Sequence, residues 1–377
     1  MRRRRGALVL KPTIAYVLTQ DRAGPVDLTV ALARELDGRG TAHVLVLGPP
    51  PVTSAGPLGE LHTDLRITSK RDLAGRRRLR DVLTRVRPDL VHAQDRRAAL
   101  AVASLRPGMP VVATFHGVPE DVPGSWAAGE PGASRPPARD LAVLAADAVV
   151  ARRVAMTLAP SQAIADVLTS RLRVPADKVR VLANGVPLTP AHDLPERVRS
   201  LLFVGALVPR KGADVLLEAF ARVARERPDA TLRIVGDGSE RAALERRALS
   251  PDLTGRVEFA GYRTDVPVEL AAADVFVLPS HNENQPLALL EAMGAGLACV
   301  ATRVGGNADV LPPDAGSLVP AGDAAALAAA LVRLLDEPGT AAAQGRRAAE
   351  LARARYGIGR CADEHQELYL ELLARRA

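Results

Sequence analysis

The sequence predicts an α/β protein made of two doubly wound domains that face each other across a cleft. Its 377 residues exceed the length of one ordinary domain, and 47% of them are hydrophobic, enough for packed cores. Short apolar runs alternate with segments of helical periodicity, and the same order of elements begins again after residue 200. Continuous apolar strands that alternate with helices indicate parallel sheets covered on both faces.

The first half begins this pattern at Thr13. The run "TIAYVLT" predicts a strand, "AGPV" a turn, "DLTVALARELDGRG" a helix and "HVLVLG" the next strand. The runs "DLVHAQ", "PVVATFHG" and "MTLAPS" predict later strands of the same sheet. The strand-to-strand distance of about thirty residues is that of one βαβ unit.

The second half repeats the order with "LLFVG", the loop "ALVPRKG", the helix "ADVLLEAFARVARERPD" and the strand "TLRIVGDG". The runs "VEFAG", "VFVLPS" and "ACVAT" predict further strands. Ligands of such sheets bind at the carboxyl ends of the strands, so two facing sheets place a ligand between the domains.

The prolines of "GVPLTPAHDLPERV" interrupt all periodicity and mark the domain boundary. We therefore expect a first domain at 1–187, a linker at 188–198 and a second domain at 199–359. The C-terminal helix, 360–377, is expected to rejoin the first domain.

Composition excludes several classes of protein. The formal charge of +7 permits attraction to phosphates, but neither a recognition helix nor an RNA-binding motif accompanies it, and we expect no nucleic-acid partner. No run approaches the roughly 20 apolar residues of a membrane span. Two cysteines fit a reducing compartment, and "MRRRRGALVLKP" is interpreted as a basic tail. These features predict a cytoplasmic protein.

Two glycine-containing loops of the second half follow strands. In "GALVPRKG", Arg210 and Lys211 lie between glycines at the start of a helix, where backbone N–H groups and the two cations attract phosphate. A solvated basic turn is the alternative. In "GDGSE", Gly236 and Gly238 permit close approach of a ligand, although two glycines are weak support.

A third loop opens the stretch "HNENQPLALLEAMGAG". Pro286 suits the first turn of a helix, and Asn284 or Gln285 is expected to cap it. On that helix Glu291 shares a face with Leu287, at a spacing of four residues. A carboxylate on a buried face requires hydrogen-bond donors, and sugar hydroxyls supply them. The alternative, that Glu291 faces solvent, stays open from spacing alone.

Four segments together resemble the retaining glycosyltransferases of family 4, which have the GT-B fold of two Rossmann-like domains. They are "VRVLANGV", "FVGALVPRKGADVLLEAF", "IVGDGSE" and "PSHNENQPLALLEAMGAGLACVATRVGG". The resemblance is dense over residues 180–335 and looser before them. It implies transfer of a hexose-type sugar, with retention, from a nucleoside diphosphate sugar to a hydroxyl acceptor. It also implies that the protein uses no cofactor and no metal, and that UDP is a commoner donor nucleotide than GDP.

The resemblance assigns roles to particular residues. Glu291 would accept hydrogen bonds from the ribose, and Glu283 would lie beside the transferred sugar. Lys211, with Arg210, would stabilise the departing phosphate, and His116 in "ATFHG" would face the donor sugar. The remaining residues assigned to the donor site are Gly205, Gly236, Gly238, Tyr262, Arg263, Asn284, Gln285, Pro286, Leu287 and Ala288.

Two positions depart from the family pattern. Ala206 replaces the arginine that most relatives place after the first glycine of the phosphate loop. On the acceptor side, Gly24 matches the family's glycine turn, but Pro25 and Val26 replace the second glycine and the acidic residue usual nearby. These substitutions leave the role of Arg210 and the acceptor contacts open.

Alternatives remain at this point. A phosphorylase or an epimerase would share the architecture, and a non-catalytic sugar-nucleotide-binding module would share the site. The basic segment "SKRDLAGRRRLRDVLTRVRPD" is interpreted either as a surface that contacts an anionic membrane, at the inner face of the plasma membrane, or as a solvated charged face. The Gly/Pro-rich segment around Trp126 is either a loop that folds over the acceptor or a linker.

Overall fold

A computed structural model describes residues 11–53, 56–119, 122, 124–129 and 133–376. The basic tail at 1–10 and part of the Gly/Pro-rich segment lie outside the described residues. Two sheets organise the chain, and every pairing between neighbouring strands is parallel.

The first sheet has the strand order β3-β2-β1-β4-β5-β6-β7. Its strands are β1 Thr13–Val17, β2 His43–Gly48, β3 His62–Asp64, β4 Leu90–Ala93, β5 Val111–Thr114, β6 Met156–Ala159 and β7 Val179–Val181. The helices between and around them are α1 Gly24–Gly38, α2 Leu73–Val86, α3 Arg96–Leu105, α4 Gly124–Ala128, α5 Ala138–Arg153 and α6 Gln162–Asp166.

The second sheet has the order β10-β9-β8-β11-β12-β13. The order in which strands are added therefore reverses between β8 and β11, as it does between β1 and β4 in the first sheet. Its strands are β8 Ser200–Val204, β9 Thr231–Val235, β10 Val257–Gly261, β11 Val275–Leu278, β12 Ala298–Thr302 and β13 Ser317–Val319. The later helices are α7 Ala213–Glu226, α8 Arg241–Ala248, α9 Val266–Ala271, α10 Leu287–Ala295, α11 Asn307–Val310, α12 Ala324–Asp336, α13 Pro338–Arg355 and α14 Ile358–Ala374.

The two doubly wound sheets confirm the predicted fold class, and ten of the thirteen strands in the described residues coincide with predicted runs. The three that sequence reasoning missed, β3, β7 and β13, have three residues each and lie at sheet edges. So short a strand offers no alternation or apolar run to recognise.

Alternate residues of the strands face opposite layers of helices, as two-residue periodicity requires. In β1, Ile14 and Tyr16 belong to the apolar cluster beneath α1 and α14, whereas Ala15 and Val17 belong to the cluster beneath α2 and α3. Both faces of the sheet are therefore buried at β1, which explains why this strand is mainly apolar.

The helix α14 packs against α1 and contributes to the core of the first sheet. Its Tyr369 is buried, and the Tyr369 hydroxyl lies 2.7 Å from His92 Nδ1 and 2.9 Å from the Tyr16 hydroxyl. The segment that returns the chain to the first lobe lies beside the segment that leaves it. There Val186 N donates to the carbonyl of Tyr356 at 2.8 Å.

Candidate functional site

The candidate site lies where the second sheet reverses its strand order. The loop after β8 holds Arg210 and Lys211 in a 3-10 turn, and the loop after β11 holds Glu283. At such a switch point the two loops diverge from adjacent strands and leave a crevice that a ligand can enter. The sequence-predicted loops of the second half are thus next to each other.

Glycines bring these loops into contact. A methyl group added at Gly236 would lie 1.8 Å from the Gly205 carbonyl oxygen, and one added at Gly238 would lie 2.3 Å from that of Leu207. Gly212 has φ +65°, and its added methyl group would meet the Pro279 carbonyl at 2.2 Å. The loops after β8, β9 and β11 therefore pack backbone against backbone, and Ala206 lies exposed between them.

Lys211 and Glu283, both predicted to act on the donor, form an ion pair. The side chains are only 13% and 6% exposed, and Ser280 Oγ also donates to Glu283 Oε1 at 2.7 Å. A largely buried cation and carboxylate thus lie together between the two loops. Arg210 is half-buried beside them, and its carbonyl accepts from His281 N at 2.8 Å.

The start of α10 differs from the sequence prediction. Pro286 lies at the N-cap and not in the first turn, and neither Asn284 nor Gln285 caps the helix with its side chain. The Asn284 amide instead donates to the carbonyl of His116 at 2.5 Å, and Gln285 bonds to Asn184. Interactions with residues of the first lobe outcompete local capping.

Three residues of this region were not predicted. Gly305 and Gly306 lie against the loop before α10, since added methyl groups would lie 1.6 Å from the Glu283 carbonyl and 1.8 Å from that of Asn284. Asn184 is buried, and its side-chain amide donates to the Gln285 carbonyl at 3.0 Å. All three residues lie in segments that resemble family 4, but a backbone contact between distant residues leaves no sequence signal.

The two lobes meet on either side of the crevice. Besides the bond from Asn284 to His116, a methyl group added at Gly24 would lie 3.6 Å from Leu287 Cδ1. The Tyr262 hydroxyl donates to the carbonyl of Val52 at 3.1 Å. The predicted donor-side and acceptor-side residues therefore approach one another directly.

His116 presents one ring nitrogen without a partner to this region. Its Nε2 is buried and unbonded, whereas the backbone of Gln94 hydrogen-bonds the ring. Burial lowers the pKa of His116 to about 4, against the opposing effect of the Gln94 bond. The imidazole is therefore neutral at physiological pH and suited to a hydrogen bond with an uncharged group.

Glu291 lies in an interlobe cavity of about 430 Å³, together with Leu287, Asp27 and the chain near Val186. Burial, and to a smaller extent the Asp27 carboxylate, raises the pKa of Glu291 to about 7. Glu291 is half-buried and lines this cavity. Asp27, in the first turn of α1 and three residues after Gly24, also lines this cavity.

Some predicted residues lie apart from this cluster. The Arg263 guanidinium is paired with Asp265 at 2.6 Å and Glu269 at 3.3 Å, so its charge is engaged within its own loop. Tyr262 is 43% exposed, and Ala288 contributes to the packing of α10 against the core. Within the described part of the chain, His, Cys, Asp and Glu side chains form no group of three that would hold a metal ion.

Comparisons with known proteins agree with this architecture. Residues 24–189 match the family model described as Glycosyltransferase Family 4, and residues 198–337 match the model described as Glycosyl transferases group 1. The chain belongs to glycosyltransferase family 4. The family 4 resemblance predicted from the sequence is thereby confirmed.

Curated relatives of this family 4 chain include the glycogen synthase of Mycobacterium tuberculosis, 30% identical over 272 residues, 70% of this chain and 64% of the relative. A GDP-mannose-dependent monoacylated α-(1-6)-phosphatidylinositol monomannoside mannosyltransferase of Corynebacterium glutamicum is 38% identical over 149 residues, 37% of this chain and 38% of the relative. The chain thus spans less than two thirds of the length of either.

Among solved structures, Anabaena HepE in complex with UDP and glucose superposes with a TM-score of 0.78. The superposition covers 96% of this chain and all of HepE, at 21% identity. This likeness shows the fold, and with the two parallel sheets it confirms the predicted GT-B architecture for the family 4 chain. In the described segments, no helix is long and apolar enough to cross a membrane.

Proposed function

We propose that the protein transfers a hexose-type sugar from a nucleoside diphosphate sugar, UDP in preference to GDP, to a hydroxyl acceptor with retention of configuration. The observation that carries the proposal is the buried pair of Lys211 and Glu283 at the switch point, with His116 of the opposite lobe adjacent. Family membership and the UDP complex of Anabaena HepE support it.

The ion pair places a phosphate-binding group and a sugar-binding group side by side. When a diphosphate enters, the Lys211 ammonium exchanges its carboxylate partner for phosphate oxygens, helped by Arg210 and by backbone N–H groups before α10. Glu283, released from Lys211 but still bonded to Ser280, then accepts hydrogen bonds from the sugar hydroxyls. Charge on the departing phosphate is stabilised without a bound divalent metal.

The chemical step breaks the bond between the anomeric carbon and the phosphate oxygen and forms a bond to the acceptor oxygen on the same face. The acceptor proton passes to the departing diphosphate. Glu291 holds the ribose, since an ionised carboxylate accepts two hydroxyl hydrogen bonds. His116 contributes a neutral nitrogen to the sugar.

Thermal unfolding with a panel of nucleoside diphosphates and their sugars tests the donor site. A ligand at 100 times its Kd adds about 2.7 kcal/mol to the free energy of unfolding. We expect UDP to stabilise more than GDP, and the variants Lys211→Ala and Glu291→Ala to lose this effect. Absence of a response to every nucleotide would contradict a donor site at this position.

The reaction class needs separate measurements. NMR of the product reports the anomeric configuration, and activity in EDTA reports metal dependence. Release of free sugar nucleotide isomers without an acceptor would identify an epimerase, and phosphate-dependent formation of a sugar phosphate would identify a phosphorylase.

A contact with anionic membranes is proposed on the surface of α2. Gly75, Leu79 and Leu83 are buried, whereas the opposite face exposes Arg77, Arg78, Arg80 and Arg85, with Leu73 65% exposed. Co-sedimentation with vesicles of anionic lipid, lost at high salt, would support this contact. No sedimentation at low salt would contradict it.

A further inference from the structure

A second cavity, of about 150 Å³, is lined by residues of the first lobe, His116 among them. Its wall includes the ends of β5 and β6 and parts of α3 and α5, with Phe115, Arg96, Asp147 and Thr157 among the lining residues. Gly117, also in the wall, touches Asn284 of the second lobe. The cavity therefore begins one residue away from the Lys211–Glu283 pair.

A polar atom in this wall lacks a hydrogen-bond partner. Thr157 is 2% exposed, and its Oγ1 is buried and unbonded. Valine would fill the same position in β6 without burying an unbonded hydroxyl, and β-strands favour valine. Because nearly all buried polar groups are bonded, an unbonded hydroxyl in a cavity wall indicates a ligand that supplies the partner.

The charged side chains in the wall already have partners within the protein. Arg96 Nε donates to both oxygens of Asp147, at 2.7 and 2.9 Å, and Arg96 also donates to the Gly117 carbonyl. Asp95 accepts from the hydroxyl of Thr19 and from the backbone at the start of α3. Burial nevertheless raises the pKa of Asp147 to about 6, although Arg96 and the exposed Lys70 lower it.

A phosphate in this cavity would add two negative charges beside Asp147 and Asp95. The Arg96 cation is already paired, and the His116 imidazole is neutral. Burial of an uncompensated charge costs several kcal/mol. A hydroxyl, in contrast, both donates to carboxylate oxygens and satisfies Thr157.

We propose that this cavity binds the acceptor, and that the acceptor group it takes is a hydroxyl-rich ring without phosphate or carboxylate. The inference rests on the proposed function. It defines the substrate class of the acceptor side, which family membership leaves open.

Paired acceptors test the inference with the intact protein. Glucose is compared with glucose 6-phosphate, glucosamine with glucosamine 6-phosphate, and myo-inositol with its 1-phosphate, each with the donor nucleotide sugar selected by thermal unfolding. We expect the unphosphorylated member of at least one pair to react with a kcat/KM at least 10-fold higher. A phosphorylated member that reacts better, or failure of every unphosphorylated ring, overturns the inference.

Thr157 provides a matched set of variants. Thr157→Val removes the unbonded hydroxyl, so we expect unchanged or increased stability together with a roughly 5- to 10-fold higher acceptor KM. Thr157→Ser keeps the hydroxyl and is expected to keep the acceptor KM. The control Thr169→Val removes a hydroxyl bonded to the Ala165 carbonyl at 2.9 Å and should leave the acceptor KM unchanged.

Donor affinity separates the two proposals. Thr157→Val should bind the nucleotide as the unmodified protein does, and an unchanged acceptor KM in this variant would overturn the acceptor inference alone. Absence of nucleotide binding in the unmodified protein would contradict the proposed function itself.

Discussion

Lys211 and Glu283, which lie 72 residues apart in the sequence, form an ion pair at the switch point of the second sheet. Each follows a different strand, so the pair exists only when β8 and β11 lie side by side. Folding of the second lobe therefore brings the two side chains together.

Removal of one member of this pair should destabilise the protein. Lys211→Met leaves the Glu283 carboxylate buried with Ser280 as its remaining side-chain partner. We expect a loss of about 3–5 kcal/mol in the free energy of unfolding, measured by chemical denaturation. The double variant K211M/E283Q should regain most of this loss and stay inactive. Equal stability of K211M and the unmodified protein would contradict a buried pair.

Glu291 should make both stability and donor binding depend on pH. Its folded pKa of about 7 exceeds the reference value of 4.5 for an unfolded chain, so the native state holds the extra proton between these values. Stability therefore falls as pH rises through this window. Donor affinity should rise about 10-fold between pH 6 and 8, because the ribose requires the ionised carboxylate.

Glu291→Gln should flatten both pH profiles, whereas Glu35→Gln, a change in the wall of the same cavity, should not. Denaturation curves and calorimetric titration from pH 5 to 8.5 measure the two effects. A profile that Glu291→Gln leaves unchanged would assign the titration to another group.

The glycine contacts of the phosphate loop should tolerate no side chain. Gly236→Ala places a methyl group 1.8 Å from the Gly205 carbonyl, so we expect lower stability and lost nucleotide binding. Gly255→Ala is the matched control, because Gly255 has φ +78° and no atom lies within 4 Å of the added methyl. It should cost only about 1–2 kcal/mol of backbone strain. Equal effects of the two substitutions would show that the loop can separate.

Ala23 should be replaceable by glycine with a gain in stability. It has φ 87° and ψ 167°, a conformation that side chains disfavour. Such strain costs of the order of 1–3 kcal/mol, so Ala23→Gly should raise the free energy of unfolding by about 1 kcal/mol after the entropy cost of glycine. Ala343→Gly, at an exposed position within α13, should lower it by about 1 kcal/mol. Loss of stability in Ala23→Gly would contradict the strain.

Sequence reasoning was most successful where periodicity reports burial. The apolar strands β1 and β11 are buried on both faces, and a run of β-branched and aromatic residues such as "VFVL" between turns favours a strand. It also located the loops of Lys211 and Glu283 at strand ends. That these two residues touch was not predicted, because the contact depends on the sheet order.

The missed features share a physical cause. Asp27 looks like an ordinary acidic residue in the first turn of a helix, and only the approach of α10 from the other lobe brings Glu291 near it. Asn284 and Gln285 looked like caps because capping is local, yet their bonds join residues 168 and 101 positions away. Long-range competition of this kind is invisible to local pattern.

The docking of α14 on the first sheet has a consequence for synthesis. Tyr369 completes a buried hydrogen-bonded set with His92 and Tyr16, so the first lobe lacks part of its core until residues of α14 have left the ribosome. The whole second sheet is translated in the meantime. Nascent chains should therefore carry an unfinished first lobe with an exposed apolar face, a natural target for chaperones, and the two lobes should reach their native state together.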